Sequence, residues 1–380
     1  MEYVRLKDIG QIITGNTPPT SKPEYYGDYM PFIKATDIPI GVKCTLVTEQ
    51  SYSKLAAEKY KKSLVPKGST CVVTIGSIGK KMTYAHTDLF VNQAINAIVP
   101  KDSYDNEYIF YNVRCSVLPQ LKKLDSGTTS GRENISKTSF SSIRIPVIRD
   151  KNVQRRIGVI LSTYDSLIEN NTKRIRLLEK MAENLYKEWF VRFRFPGHEN
   201  VKMVNGLPKG WKYVNFGKLS PIVTGKKDAN FASPNGKYKF FTCSKADLMA
   251  DSYSFDCFAI ILAGNGDLNV KLYKGQFEAY QRTYVLTPYD ISHIYISYYT
   301  IQSELDRLLV GAAGAVIKFL TKGMIEKIKI VVPDQSLLRK FNIMLDANFK
   351  IRQNLIAQNT LLARQRDLLL PRLMSGKLEV

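Results

Sequence analysis

The chain has 380 residues, 44% of them hydrophobic, which suffices for two domains with cores of their own and excludes a disordered polyelectrolyte. Lysine and arginine number 55 against 34 acidic residues, and the resulting +21 points to a polyanionic partner, nucleic acid before an anionic membrane surface. No apolar run approaches the roughly 18–20 residues that cross a bilayer, and the N-terminus has no signal-peptide core, so a cytoplasmic protein without a membrane partner is expected.

In chain order, IGQIITGN (9–16) is a short apolar run ending in a Thr-Gly turn. PFIKATDI (31–38) reads as an aromatic strand leading into a polar turn, and CVVTIGSIGK (71–80) as a β-branched strand entering a glycine loop. FVNQAINAIVP (90–100) follows, then the small-residue stretch SGTTSG (126–131) and a closing strand in FSSIRIPVI (140–148).

A long helix is predicted from about Asn152 to Val191, roughly 60 Å at 1.5 Å per residue. Ile157, Leu161, Tyr164, Ile168, Asn171, Ile175, Leu178, Ala182, Leu185 and Trp189 step by four and three in alternation, the heptad seam of a helix packed along another helix. Asn171 is its one polar member, a residue type that fixes register. The helix runs out through YKEWFVRFRFPGHE (186–199), where Tyr186, Trp189, Phe190, Phe193 and Phe195 crowd together. These aromatics either seal the hand-over to a second globular unit or belong to that unit's core.

The landmarks then recur in the same order: LSPIVTGK (219–226), FFTCSKADL (240–248), AIILAGNGDL (259–268), AYQRTYVLTP (279–288), VGAAGA (310–315) and IEKIKIVVP (325–333). A second helix carries Phe341, Leu345, Leu355, Leu362 and Leu369, a sparser seam that Arg352 and Arg366 interrupt. The expected fold is α+β: two duplicated mixed α/β domains separated by two long antiparallel coiled-coil helices with pseudo-two-fold symmetry. The boundaries are 1–150 for the first domain, 151–192 for the first helix, 193–212 for a linker, 213–333 for the second domain and 334–380 for the second helix.

Catalytic motifs are missing. There is no GxxxxGK[ST] loop, no GxGxxG opening a helix and no GxSxG elbow. His86, His198 and His293 are isolated, and the five cysteines (Cys44, Cys71, Cys115, Cys243, Cys257) form no CxxC, so no catalytic residue, metal site or disulfide framework is expected. Such a chain reads as a binder or a scaffold.

Several segments together carry a resemblance: VRLKDIGQIITGNTPPTSKPEYYG, TIGSIGK followed by NQAIN, SGTTSGRENISKTSFSSIRIPVI, the junction LYKEWFVRFRFPG with GLPKGW, and the tail LLPRLMSGKLEV. In this order the chain resembles the specificity subunit of a Type I restriction-modification system along essentially its whole length. The resemblance implies a non-catalytic subunit that reads a bipartite, asymmetric target in double-stranded DNA, one block per target-recognition domain. It also implies partners: two modification subunits that methylate adenine N6 from S-adenosylmethionine, and restriction (motor-nuclease) subunits that use ATP and Mg. No cofactor is expected on this chain itself. Two other classes stay open: a coiled-coil scaffold with only non-specific DNA affinity, and an enzyme of unfamiliar type.

Polar loop residues at the landmarks are the candidate DNA contacts, because Arg and Lys pair with guanine, and Asn and Gln with adenine. In the first domain they are Lys34, Thr36, Ser77, Lys80, Asn92 and Gln93, with Thr128, Thr129 and Arg132 beside them. In the second they are Lys226, Lys227, Ser244, Lys245, Asn265, Asn269, Gln281 and Arg282. The loop lysines are expected on phosphates more than on bases. Gly76, Gly79, Gly264 and Gly266 either make tight turns or let DNA approach, and Asn92 and Gln93 either read bases or satisfy backbone. Leu167, Leu177 and Met181, off the seam, are left to receive partner helices or to thicken the bundle.

Overall fold

Each half of the chain is closed by a short antiparallel ribbon that ties an early strand to its last. Glu2–Arg5 pairs with Arg144–Val147, Tyr3 opposite Pro146, and Lys212–Asn215 pairs with Lys329–Val332, Tyr213 opposite Val331. The computed structural model describes residues 1–124, 133–311 and 319–380, so Thr128, Thr129 and Arg132 lie outside the described residues. The chain forms two units: Met1–Lys173 with Leu355–Val380, and Arg174–Asn354.

In the first unit a four-stranded sheet runs in the order Gly10–Thr14, Ile95–Pro100, Thr70–Val73, Met82–Tyr84. The β-branched run Thr70–Val73 is buried at all four positions, as a strand covered on both faces must be. A second sheet, Tyr26–Gly27, Gln50–Tyr52, Met30–Ile33 and Phe90–Val91, has its last pair parallel, with Ile33 opposite Val91. The helix Asn106–Ser116 starts on Asp105, whose carboxylate accepts from the Tyr108 N–H at 2.9 Å. It packs with Leu6, Ile9, Phe140, Ile157, Leu161 and Leu373 in one core.

The second unit repeats this order as one six-stranded sheet: Ile222–Thr224, Thr283–Leu286, Phe255–Ala263, Val270–Ala279, Tyr238–Phe241, Leu248–Ala250. The first unit needs two sheets because the counterpart of Val270–Ala279 is interrupted there. Met82–Tyr84 and Phe90–Val91 are its two ends, and between them Ala85 and Leu89 turn aside to pair with Ser69 and Val65. In the second unit Gly275, at φ 133, carries the strand through uninterrupted.

The first long helix spans Lys151–Tyr186 and continues into a π-helical turn over Lys187–Val191; the second spans Gln335–Met374. Each contributes one segment to each unit, and inside each unit the two segments run antiparallel. In the first unit Asn171 Nδ2 donates to Asn359 Oδ1 at 3.0 Å and Gln358 Oε1 at 3.4 Å, while Asn359 Nδ2 reaches the Ile168 carbonyl at 3.4 Å. In the second, Asn348 Nδ2 donates to the Leu178 carbonyl at 2.9 Å, and Arg352 pairs with Glu179 at 2.7 Å. The seam positions Tyr164, Ile168, Ile175, Leu178, Leu185, Leu362 and Leu369 are half-buried, whereas Ile157, Leu161, Trp189, Phe341, Leu345 and Leu355 are buried. Leu167, Leu177 and Met181 are exposed.

Arg366, read from sequence as a break in the seam, is instead one of the most buried side chains, paired with Asp165 on the first helix. The aromatic run belongs to the core of the second unit: Phe190 packs edge-on against Phe341 at 4.8 Å, and Phe195 stacks on Trp211 at 4.9 Å. Phe193 turns the chain there in the left-handed region, at φ 56.

Candidate nucleic-acid interface

Four loops of the first unit meet at one edge, each held by the backbone of its neighbour. The Gly15 N–H donates to the Ile95 carbonyl at 3.2 Å, Asn16 to Val91 at 3.0 Å, Asn92 to Ile33 at 3.0 Å and Thr74 to Ala94 at 2.8 Å. The second unit repeats the pattern: Gly225 to Thr283 at 3.1 Å, Tyr280 to Phe241 at 2.9 Å and Gly264 to Arg282 at 2.9 Å. By these bonds Gln93 is the counterpart of Gln281, Ala94 of Arg282, and Gly15 of Gly225. Both last positions require glycine. A Cβ on Gly15 would lie 2.2 Å from the Val91 and Asn92 carbonyl oxygens, and one on Gly225 would lie 2.0 Å from that of Ala279.

The glycine loops follow the same design. Gly76 (φ 86) and Gly266 (φ 65) each sit in the left-handed region, followed two residues later by an N–H back to their own carbonyl, from Ile78 at 2.6 Å and Leu268 at 3.0 Å. Ile78 and Leu268 are buried, which pins the turn to the core and lifts Ser77 and Asp267 to its exposed tip. A return segment closes each loop, the Ile135 N–H donating to the Thr74 carbonyl and the Leu320 N–H to that of Gly264.

The clusters thus gather Lys34, Thr36, Ser77, Lys80, Asn92 and Gln93 in one unit, and Lys226, Lys227, Ser244, Lys245, Asn265, Asn269, Gln281 and Arg282 in the other. Their side chains are not equally free. Thr36, Ser77, Lys80, Lys226, Lys245 and Arg282 make no side-chain hydrogen bond or ion pair among the described residues, and most of them are exposed. The Asn265 side chain likewise has no partner among them. Lys34 is held by Glu49 at 2.5 Å, Lys227 lies 4.4 Å over the Phe231 ring, and Gln281 donates to Asp228 at 2.8 Å. Gln93 accepts from Thr17, and the Ser244 hydroxyl accepts from the Ala246 N–H at 3.2 Å. The Asn92 Oδ1 is buried without a partner among the described residues.

Asn269 is the clearest departure from the sequence expectation. Its amide donates to the Cys243 carbonyl at 3.3 Å and to that of Asp267, bracing two loops from inside. Lys81 makes the matching contact in the first unit, to the Ala35 carbonyl at 3.0 Å. Sequence reading missed a further brace, Asp247, which bridges Lys239 and Lys271 at 2.7 Å each. Burial pushes its carboxyl up, but the two ammonium groups outweigh that and hold it below the usual aspartate range. Lys271 also donates to the Ser244 carbonyl at 3.1 Å, so the 242–247 turn is fixed from beneath.

Among the described residues no cluster of His, Cys, Asp and Glu could hold a metal, and no helix is long and apolar enough to cross a membrane. What the two loop sets offer is a paired display of exposed hydrogen-bond donors and cations on a rigid backbone frame.

Residues 1–180 match the Type I restriction modification DNA specificity domain family. The chain is 26% identical to the Type I restriction enzyme MjaIX specificity subunit of Methanocaldococcus jannaschii, over 99% of this chain and 93% of that protein. It is 35% identical to the Type I restriction enzyme EcoDI specificity subunit of Escherichia coli, over 45% of this chain and 39% of that protein. The fold is similar to that of the Type I restriction-modification S subunit from M. genitalium, with a TM-score of 0.60 at 17% identity, covering 98% of this chain and 95% of that one.

Proposed function

Because residues 1–180 belong to the Type I restriction modification DNA specificity domain family, we propose that the chain is the DNA-recognition subunit of a Type I restriction-modification complex. One observation carries this reading: two loop clusters of one backbone design present different side chains at matching positions. Ala94 stands where Arg282 does, Ser77 where Asp267 does, and Asn92 where Tyr280 does. A duplicated frame with divergent tips is what reading two unlike DNA blocks requires, since base edges are discriminated by donor and acceptor pattern.

In this reading the chain catalyses nothing. Modification subunits would methylate adenine N6 from S-adenosylmethionine, restriction subunits would use ATP and Mg, and this chain would supply the address. The exposed apolar residues of the first long helix, Leu167, Leu177 and Met181, are available to such partners. A scaffold with only non-specific DNA affinity is the competing reading, and the paired donor sets weigh against it.

The test is methylome sequencing of a host carrying the gene beside its deletion. A two-block N6-methyladenine motif that vanishes with the deletion supports the assignment, and exchanging residues 1–150 should then alter one block alone. An unchanged methylome with the partner genes expressed would sink it.

A further inference from the structure

Among the connections that differ between the two units, one stands out in charge. In the second unit the strands Leu248–Ala250 and Phe255–Ala263 are joined by residues 251–254, Asp-Ser-Tyr-Ser, with one acid and no base. In the first unit the equivalent strands, Gln50–Tyr52 and Thr70–Val73, are joined by residues 53–69, which carry Lys54, Lys59, Lys61, Lys62 and Lys67 against Glu58 alone. The insert folds as a short helix, Lys54–Lys59, capped by Ser53, followed by a 3-10 turn over Lys61–Ser63. All five lysines are exposed, and none makes an ion pair among the described residues.

Its attachment is specific. Tyr25, Tyr52 and Phe90 form a small aromatic core beneath it, with Tyr60 packed at the edge. The Ser53 N–H donates to the Tyr25 carbonyl at 3.0 Å, and the Tyr52 hydroxyl to the Asn16 carbonyl at 2.8 Å. The Tyr26 hydroxyl donates to the Pro18 carbonyl at 2.7 Å. Asn16 and Pro18 flank Thr17, whose hydroxyl bonds Gln93, so the small sheet that carries the insert, through Tyr26 and Tyr52, is bonded to the edge of the recognition loops.

Around Tyr25 two ammonium groups gather on one ring, Lys59 at 4.6 Å and Lys22 at 5.7 Å from its centroid. Lys59 Nζ also lies 2.5 Å from the Tyr25 hydroxyl. Two like charges held on one anchor without a paired carboxylate repel each other, and an anion placed between them relieves the repulsion.

Resting on the DNA-recognition reading, we propose that Lys22 with the insert lysines Lys59, Lys61 and Lys62 forms a sequence-independent phosphate clamp of the first unit, gripping duplex backbone next to the bases its loops read. The second unit has no such insert, so the two halves hold DNA with unequal electrostatic contributions. The clamp adds affinity and salt dependence and carries no base preference.

The test uses the full chain and a duplex of random sequence about three helical turns long, titrated between about 50 and 200 mM salt. The variants are K61Q/K62Q and K22Q/K59Q, with K7Q/K101Q as the charge-matched control at the opposite end of the strand Ile95–Pro100, where the Lys101 N–H bonds the Ile9 carbonyl. Each clamp variant should flatten the slope of log affinity against log salt by about 1.8, at about 0.9 for each phosphate no longer neutralised, while the control leaves it unchanged. Wild-type binding with equal slopes in all three variants overturns the clamp and leaves the recognition reading standing. No binding of the wild-type chain even at low salt overturns both.

Discussion

Arg366 on the second long helix donates to Asp165 on the first, and both side chains are almost fully buried, at 2% and 4% exposure. The Tyr111 hydroxyl donates to the other carboxylate oxygen at 2.5 Å, and burial with the adjacent Asp165 charge pushes that hydroxyl above the usual tyrosine range. One carboxylate thus ties the helix Asn106–Ser116 to both long helices. Removing one partner of a buried pair strands the other charge, so Asp165→Asn should cost about 3–5 kcal/mol. Tyr111→Phe should cost about 1–3 kcal/mol. The triple variant Asp165→Leu, Arg366→Met, Tyr111→Phe should recover most of the loss, because hydrophobic replacement of a buried pair is close to neutral once no buried hydroxyl is left unpartnered. Urea unfolding of the full chain followed by far-ultraviolet circular dichroism gives the comparison.

Gly15 and Gly76 separate two reasons for a glycine. At Gly76 the left-handed φ meets open space, so Gly76→Ala should cost only the backbone penalty of about 1–2 kcal/mol. At Gly15 a methyl meets two fixed carbonyl oxygens, and Gly15→Ala must displace the strand end that positions Asn92, with an overpacking cost of about 1–3 kcal/mol or more. The same holds at Gly225. Thermal melts should rank Gly15→Ala and Gly225→Ala below Gly76→Ala, and the reverse order would discredit the loop frame.

For recognition, Gln93→Ala and Gln281→Ala should each relax one position in a different DNA block, costing about 1–3 kcal/mol against the cognate base. Lys80→Ala should weaken every sequence alike and reduce the salt slope by about 1. Competition binding against single-base variants of the methylated motif separates the two behaviours.

The Asp247 bridge makes a pH prediction. Its folded pKa lies below the unfolded value, so its contribution is fully present above the usual aspartate pKa of about 3.9 and is lost as pH falls through the folded value. The stability gap between wild type and Asp247→Asn should therefore be constant from neutral pH down to about pH 5, then close on further acidification. A gap that opened toward acid would contradict the geometry.

Much of this was legible in the chain because duplication shows as order. The Thr-Gly turns, the glycine loops and the closing strands mark backbone positions where few residues fit, and the four-three spacing from Ile157 to Trp189 is a period that only a packed helix keeps. Three things were hidden for physical reasons. Arg366 looked like a seam defect, since its partner Asp165 lies 201 residues away and pairing is invisible in one dimension. Asn269 looked like a base reader, because an amide aimed inward has the same letter as one aimed at solvent. Lys54 to Lys62 carry no sequence motif, and only the short counterpart connection in the second unit sets them apart.

Trp189 and Trp211 are the only tryptophans of the chain, and both are buried in the aromatic core of one unit, at 7% and 8% exposure. Nature has in effect labelled one half of the molecule and left the other dark. Emission excited at the red edge of the indole band therefore follows Arg174–Asn354 alone, whereas tyrosine absorption samples both halves. A single unmodified sample can thus report separately on the two units, without a dye or a tag.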